Sequence, residues 1–379
     1  MIYRQFKDKQ LSGLGFGCMR LPVLDGNDAK IDEAAALDMI DYAMSHGINY
    51  FDTAWGYHEG NSEIVVGKGL SKYSRENFYL ADKFPGYDLS NMPKVKEIFE
   101  KQLLKCRVDY FDFYLIHNVC ELNVEQYLDP KYGIRDYLKE QVRTGRIRHL
   151  GFSCHGNYET YQKFMSVYGE DMEFCQLQLN WLDWKFQKAD EKVRDLRERN
   201  IPVWVMEPLR GGKLCRLEDR YEEKLKALRP DTTVTQWAFR FLQTLPEVGM
   251  VLSGMSSMEQ MKQNIATWNR DEPLNGDEWD TLQQIADEMT GVDKVMCTAC
   301  RYCTAHCPAG LDIPRLIELY NEHKFTDGGF IPVMGLMALD SDKRPKDCLH
   351  CHSCEKVCPQ QIKISDVMQD FDDRIHNQA

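Results

Sequence analysis

The feature that most restricts how this chain can fold is a pair of cysteine runs with the same spacing. The chain has 379 residues and 14 cysteines, and eight of these lie between Cys297 and Cys358, where an even spread would place about two. The runs read Cys297-x2-Cys300-x2-Cys303-x3-Cys307-Pro308 and Cys348-x2-Cys351-x2-Cys354-x3-Cys358-Pro359. Thiols repeated at such short intervals indicate that this region folds around a group bound by the thiols.

Two kinds of metal site use closely spaced thiols. Zinc sites also use paired Cys-x2-Cys, but rarely three cysteines at successive x2 spacing with a trailing Cys-Pro, so iron–sulfur clusters are favoured over zinc. Over residues 294–366 the chain resembles two-cluster bacterial ferredoxins, which implies two [4Fe-4S] clusters with the fourth cysteine of each run binding the other cluster. The implied ligands are Cys297, Cys300, Cys303 and Cys358 for one cluster, and Cys348, Cys351, Cys354 and Cys307 for the other.

The first ~290 residues alternate apolar runs with amphipathic stretches, which predicts strand–helix units and a parallel sheet. The eight strand candidates are Leu14–Met19, Asn49–Thr53, Phe78–Lys83, Phe111–His117, His149–Ser153, Phe174–Leu179, Val203–Glu207 and Val248–Ser253. The helix candidates are Glu33–Ser45, Ser62–Leu70, Val95–Cys106, Ile134–Thr144, Tyr158–Val167, Ala189–Asn200, a Glu222–Thr244 region and Glu259–Thr267. Eight such units predict an α/β protein with a closed (β/α)₈ TIM barrel. The first strand is not followed by G-x-G-x-x-G, which argues against an open sheet.

The chain is expected to have two domains. An extra helix over Asp277–Met289 and a short linker over Thr290–Asp293 follow the eighth unit, after which the composition becomes rich in cysteine. We therefore place the barrel at residues 1–290 and the two-cluster ferredoxin-type domain at 291–379. A helix over Ile313–His323, between the cysteine runs, is typical of a small, mainly helical ferredoxin domain.

The composition excludes several classes of partner. The formal net charge is −12, and an acidic surface repels the phosphate backbone of nucleic acids. No apolar run approaches the length of a membrane span, and the start MIYRQFKDKQ lacks the apolar core of a secretion signal. We therefore expect a cytoplasmic protein with no nucleic-acid partner, in a compartment where thiols stay reduced.

Four side chains of complementary chemistry follow three successive predicted strands, at the barrel end where active sites lie. These are Asp52 and Tyr57 after the second strand, Lys83 at the end of the third and His117 at the end of the fourth. A nearby ammonium favours a phenolate, so Lys83 is expected to lower the pKa of Tyr57 from about 10 toward working pH. Asp52 would keep Lys83 charged, and His117 would share a proton with the substrate oxygen or position it. Tyr57 would then exchange a proton with a carbonyl or alcohol as hydride moves.

Five segments resemble the signatures of the aldo-keto reductase family, in the family's order. They are Asp52-Thr53-Ala54-x-x-Tyr57 with Glu63 after it, Leu80-Ala81-Asp82-Lys83, Tyr114-Leu115-Ile116-His117, Gly145-x-Ile147-Arg148-x-Leu150-Gly151-x-Ser153, and Pro208-Leu209-x-Gly211-Gly212. The resemblance covers residues from about 2 to about 290. It implies an oxidoreductase that transfers hydride reversibly between carbonyl and alcohol with NAD(P)H, with Asp52, Tyr57, Lys83 and His117 as the catalytic tetrad.

The resemblance also implies where the nicotinamide cofactor lies. Ser153 and Gln176 should meet its carboxamide, and the Pro208–Gly212 loop and the helix that opens near Ser256 should hold its diphosphate and adenosine. The full set of candidate cofactor-binding residues is Cys18, Met19, Asp52, Ser153, Gln176, Met206, Pro208, Leu209, Gly211, Gly254, Ser256, Gln260 and Asn264.

Three positions depart from the family pattern. Cys154 stands where the family usually has asparagine, and Met206 stands where an aromatic side chain often stacks on the nicotinamide. The segment from Gly254 to Gln260 has no cation until Lys262, and a dianionic phosphate without a cation binds poorly. NADH is therefore expected at least as readily as NADPH, and the altered nicotinamide wall leaves a flavin as an open alternative.

The two halves of the chain handle electrons differently. Hydride transfer moves two electrons together, whereas a [4Fe-4S] cluster passes one at a time. We favour a carbonyl reductase whose clusters transfer electrons or sense redox state, acting on a small carbonyl or alcohol and exchanging electrons with a ferredoxin or other carrier. The alternatives are a flavin-mediated, ferredoxin-linked reductase and a redox-sensing regulatory protein with a slow barrel site. The candidates for lining the substrate pocket are Trp55, His58, Tyr87, Asn118 and Trp181. These residues do not identify the substrate.

Overall fold

The structure is a computed structural model that describes residues 1–291 and 294–376. The chain divides into two compact units, Met1–Ala286 and Asp287–Ala379. Each unit has its own core, and each is described separately below.

The first unit is built around a closed barrel of eight parallel strands, which confirms the predicted fold. The strands pair in chain order and the last pairs with the first. They are β3 (Leu14–Gly17), β4 (Tyr50–Asp52), β5 (Tyr79–Phe84), β6 (Phe111–Val119), β7 (Ile147–Cys154), β8 (Phe174–Gln178), β9 (Val203–Met206) and β10 (Val248–Gly254). The first strand is shorter than predicted because Cys18–Arg20 forms a single 3₁₀ turn, which carries Met19 and Arg20 to the surface.

Helices surround the barrel in the order that the sequence predicts. They are α1 (Glu33–Ser45), α2 (Ser62–Leu70), α3 (Val95–Cys106), α4 (Val124–Leu128), α5 (Ile134–Arg143), α6 (Tyr158–Tyr168), α7 (Asp183–Phe186), α8 (Ala189–Glu198), α9 (Asp219–Leu228), α10 (Val234–Thr244), α11 (Met258–Trp268) and α12 (Gly276–Gly291). The predicted Glu222–Thr244 region is two helices, because Pro230 cannot donate a helical hydrogen bond and Thr233 with Gln236 forms a capping box that starts α10. Within residues 1–291 and 294–376, no helix is long and apolar enough to cross a membrane.

A hairpin that the sequence did not reveal closes the N-terminal end of the barrel. It consists of β1 (Tyr3–Phe6) and β2 (Lys9–Ser12), which pair antiparallel. Phe6 packs against Phe113 and Trp204, with ring centroids 5.6 and 5.1 Å away. This apolar plug leaves the opposite, C-terminal ends of the strands as the open face.

The second unit is a small helical fold between and after the cysteine runs. Its helices α13 (Ile313–Thr326), α14 (Phe330–Met337) and α15 (Ile364–His376) surround a core that includes Leu316, Met368 and Phe371. The predicted helix over Ile313–His323 is therefore present and runs three residues further. Helix α12 contains the predicted Asp277–Met289 helix and also the first half of the predicted linker, while Val292 and Asp293 lie outside the described residues.

The two cysteine loops have the same backbone shape. Residues at matching places in each run have left-handed φ angles: 52° at Ala299 and 49° at His350, then 64° at Arg301 and 55° at His352. Left-handed residues are uncommon outside glycine, so their repetition indicates that the same local fold is built twice.

Candidate active site

The acid–base residues meet at the open end of the barrel. Lys83, in β5, has no exposed surface, and its Nζ donates to Asp52 Oδ1 at 2.5 Å and to the Thr53 carbonyl at 2.7 Å. The same Nζ lies 3.4 Å from the hydroxyl of Tyr57, in the turn that follows β4. Three of the four predicted catalytic side chains are thus joined by one ammonium group.

His117 completes this group from β6. Its ring lies edge-on to Tyr57 with centroids 6.1 Å apart, and edge-on to Tyr87 with centroids 5.2 Å apart. Its Nδ1 is buried and has no hydrogen-bond partner in the described part of the chain. A buried, unpaired ring nitrogen is costly unless a bound molecule satisfies it.

The pKa of Tyr57 differs from the expectation. Burial raises the pKa of Tyr57 above its ordinary value, the Lys83 ammonium opposes this, and the Asp52 carboxylate adds to it. The prediction that Lys83 brings the pKa of Tyr57 down overall is therefore wrong, because burial penalises the phenolate more than one ammonium stabilises it. Tyr57 is a protonated phenol, the form that donates a proton.

Lys83 and His117 have different charge states. Burial favours a neutral amine, but the charge and hydrogen bond of Asp52, together with the nearby Tyr57 and Asp82, outweigh it and raise the pKa of Lys83. Burial, followed by repulsion from Lys83, holds the pKa of His117 well below its ordinary value. Lys83 is therefore a fixed cation, and His117 is a neutral imidazole. A neutral imidazole is suited to position a substrate oxygen by a hydrogen bond, and it does not act as a second acid beside Tyr57.

The cleft beside these residues encloses about 420 Å³. It contains most of the predicted cofactor-binding residues: Met19, Asp52, Gln176, Met206, Pro208, Leu209, Gly211, Gly254, Ser256, Gln260 and Asn264. Gln176 has a buried Oε1 that no donor satisfies in the described residues. Tyr57 also lines this cleft, so the phenol and the candidate cofactor residues face one space.

Two of the predicted cofactor-binding residues, Cys18 and Ser153, do not line this cleft. The Cys18 side chain is fully buried, its Sγ is 3.5 Å from the Phe16 carbonyl, and burial raises the pKa of its thiol. Ser153 is also buried, and its Oγ accepts a 2.7 Å hydrogen bond from the backbone N–H of Asn118.

The structure adds two charged cleft residues that sequence reasoning missed, Arg20 and Glu207. The aliphatic part of Arg20 packs on Gly254, where a Cβ atom would lie about 3.2 Å from three Arg20 carbons. Its guanidinium and the Glu207 carboxylate both approach Gly211, at 3.7 and 3.8 Å from the place a Cβ would take. Nothing in the sequence connects Arg20 with positions more than 180 residues away.

The pocket candidates have different environments. Trp181 has no exposed surface and Asn118 is buried, whereas Tyr87 stands beside His117. His58 lines a second cavity of about 310 Å³ together with Tyr57 and Arg20. His58 Nε2 accepts from the backbone N–H of Leu21 at 3.0 Å and its Nδ1 lies 2.9 Å from the Asp28 carbonyl, so it fastens this loop beside Tyr57.

The second unit brings its eight thiols together in two groups of four. One hollow is lined by Cys297, Cys300, Cys303 and Cys358, and the other by Cys307, Cys348, Cys351 and Cys354. Each group takes its fourth thiol from the other run, which is the crossed grouping that the ferredoxin resemblance implies. In each group one cysteine is buried and one is exposed: Cys303 and Cys300, then Cys354 and Cys351.

Fold and site together define an oxidoreductase of the (β/α)₈-barrel class. The chain belongs to the aldo/keto reductase family, whose model matches residues 13–287. Residues 296–362 match the model of the 4Fe-4S dicluster domain, so the barrel is joined to a ferredoxin-like module.

Known proteins resemble this chain over about two thirds to three quarters of its length. The uncharacterized oxidoreductase YqkF of Bacillus subtilis (strain 168) is 26% identical, over 69% of this chain and 89% of its own length. The NADH-specific methylglyoxal reductase of Escherichia coli (strain K12) is 24% identical, over 69% and 91%. The holo form of aldo-keto reductase AKR11C1 from Bacillus halodurans is 27% identical with a TM-score of 0.60, over 75% of this chain and 96% of that chain.

Proposed function

We propose that the barrel reduces a small carbonyl compound to an alcohol, reversibly, with NAD(P)H. The observation that carries this proposal is the position of Lys83 Nζ, 2.5 Å from Asp52 Oδ1 and 3.4 Å from the Tyr57 hydroxyl, at the edge of a cleft. A buried ammonium beside a phenol is suited to support proton transfer from that phenol to a substrate oxygen.

The residues of the cleft fit a nicotinamide dinucleotide. The unsatisfied Oε1 of Gln176 suits the amide N–H of a carboxamide, and Arg20 offers a cation to a phosphate. Helix α11 begins at Met258, just after Ser256, and the positive end of its dipole suits the anionic end of the cofactor. When bound, the nicotinamide would supply the hydride.

The protein residues supply the proton and the orientation. Tyr57 donates its phenolic proton to the carbonyl oxygen, and Lys83 stabilises the phenolate that remains. Asp52 keeps Lys83 charged and aimed at the phenol through the 2.5 Å contact. The neutral His117, which lies edge-on to the Tyr57 ring, holds the substrate oxygen by a hydrogen bond.

We expect the pH profile of reduction to be flat around neutrality. Reduction needs protonated Tyr57, and a pKa above 10.0 keeps that proton in place up to strongly alkaline pH. It also needs neutral His117, and a pKa well below 6.5 keeps the ring neutral on the acid side. Initial rates should therefore give a nearly constant kcat/KM between about pH 7 and about pH 9.5. An inflection near 6.5 that disappears in His117→Gln would contradict the neutral imidazole.

Replacing Arg20 tests the phosphate-binding end of the cleft. Arg20→Ala should weaken NADH and NADPH by a similar factor, about tenfold, if its guanidinium contacts the diphosphate that both share. A loss confined to NADPH would instead assign Arg20 to the 2′-phosphate. Titration of anaerobic protein, followed by the fluorescence of the reduced nicotinamide, measures both dissociation constants, and Arg20→Lys separates charge from shape.

A carbonyl panel assayed anaerobically with NADH and with NADPH tests the proposal itself. Turnover with either cofactor supports it, and absence of both turnover and nicotinamide binding overturns it. A visible spectrum tests the flavin alternative, because resolved flavin bands differ from the broad absorption of clusters near 400 nm. The slow regulatory barrel predicts nicotinamide binding with negligible turnover.

We further propose that the second unit holds two [4Fe-4S] clusters in its two groups of four thiols. The crossed grouping of the thiols and the matched dicluster domain support this assignment. The clusters would pass single electrons to a ferredoxin or another carrier, or sense redox state. The cytoplasmic location and the domain boundary near residue 290 stay predictions.

A further inference from the structure

A buried ion pair stands behind the loop that follows β9. Asp183 has no exposed surface, and both of its carboxylate oxygens accept from Nε of Arg210, at 3.0 and 3.1 Å. The Gln178 and Asn180 side-chain amides donate to Asp183 Oδ2 at 2.9 and 2.7 Å. Such a network is costly to disturb, because it holds charged groups away from water.

The loop that contacts this network, residues 207–212, is conformationally strained. Glu207 and Arg210 have φ angles of 55° and 48°, in the left-handed region that residues other than glycine rarely adopt. Gly211 and Gly212 follow, with φ angles of 64° and 95°. Such a backbone persists only where the surrounding contacts over-determine it.

The buried network holds both strained residues. Asp183 binds the guanidinium of Arg210, and Asn180 Nδ2 donates to the Glu207 carbonyl at 3.0 Å. Asn180 is itself fixed, because its Oδ1 accepts from the backbone N–H groups of Leu182 and Asp183 at 3.1 and 2.8 Å. One network thus fastens each end of the segment Glu207–Arg210.

We propose that Asp183 and Asn180 are positioning residues that latch the 207–212 loop in its cofactor-binding shape. Glu207, Pro208, Leu209, Gly211 and Gly212 all line the cleft. A loop held in its bound shape before the ligand arrives binds more tightly, because less ordering remains to be done. The inference rests on the proposed use of the cleft by NAD(P)H. It also implies that Arg210 stabilises the loop through Asp183, whereas Arg20 contacts the bound cofactor.

Asp183→Asn tests the latch, because it removes the charge and keeps the size. We expect the dissociation constants of NADH and NADPH to rise about tenfold or more, with a much smaller change in kcat at saturating cofactor. Asp183→Glu should restore part of the affinity. If Asp183→Asn does not fold, Asn180→Ala provides the same test, since it removes the bond to Glu207 and leaves the ion pair in place.

Asp112→Asn is the matched control. Asp112 is buried, its Oδ2 pairs with Arg75 at 2.5 Å, and it is the second residue of β6, at the opposite end of the barrel. This variant should lower the melting temperature without weakening cofactor binding. Equal weakening in Asp112→Asn and Asp183→Asn, or wild-type affinity in Asp183→Asn, would overturn the latch.

Limited trypsin digestion without cofactor gives a second readout. Arg210 is 6% exposed, with its guanidinium engaged by Asp183, so wild-type protein should resist cleavage after it. Asp183→Asn should be cut there, as seen by mass spectrometry of the fragments, and Asp112→Asn should not. Because this readout needs no nicotinamide, unchanged digestion contradicts the latch, whereas wild-type protein that binds no NAD(P)H contradicts only the proposed function.

Discussion

Tyr57→Phe is expected to abolish most carbonyl reduction while leaving cofactor binding intact. The change removes only the hydroxyl that lies 3.4 Å from Lys83 Nζ, and the ring can keep its edge-on contact with His117. Loss of a positioned general acid costs about 100- to 10,000-fold in rate. Initial rates across a carbonyl panel measure kcat/KM, and nicotinamide fluorescence measures the dissociation constant of the cofactor.

Tyr79→Phe provides the control for this substitution. Tyr79 begins β5, at the closed end of the barrel, and it packs edge-on to Phe113. Its variant should keep activity within a factor of about two. Unchanged reduction in Tyr57→Phe would remove the acid–base tetrad from the proposed mechanism, whereas equal loss in both variants would indicate a general effect of removing a hydroxyl.

The barrel and its acid–base group were predictable because both depend on local sequence. Each strand is a short apolar run that ends in a turn, and Asp52, Lys83 and His117 all lie at strand ends. The C-terminal ends of parallel strands in a barrel all lie on one face. Residues at these ends are therefore expected to lie close together even when they are distant in sequence. The crossed cysteine grouping was predictable only from the resemblance to two-cluster ferredoxins, because the repeat alone fits an uncrossed arrangement equally well.

The features that could not be predicted from the sequence depend on burial and on contacts between distant residues. The sign of the Tyr57 pKa shift could not be read, because it depends on how deeply the barrel buries the phenol. Arg20 was missed because a 3₁₀ turn shortens the first strand and two glycines far along the chain leave space for its side chain. The Asp183–Arg210 pair joins the start of α7 to the loop after β9, and only the closed barrel brings these two segments together.

The crossed thiol grouping predicts an unusual result from paired cysteine substitutions. Cys303→Ala with Cys358→Ala joins cysteines from different runs, but both belong to one group of four. This pair should cost one cluster and leave the other, so iron falls from about eight to about four atoms per chain. Iron and sulfide analysis with the electron paramagnetic resonance spectrum of dithionite-reduced protein measures this.

Cys354→Ala with Cys358→Ala distinguishes the crossed from the uncrossed arrangement. These cysteines are neighbours in one run, yet they line different hollows, so both clusters should be damaged and iron should fall well below four atoms per chain. An uncrossed arrangement predicts the reverse ranking of the two pairs. Cys215→Ala, at an exposed cysteine outside the runs, controls for thiol loss. The effect should extend to folding, because six of the eight cysteines belong to or pack against the small core of the second unit. Binding of a metal group to such a unit contributes directly to its folding free energy.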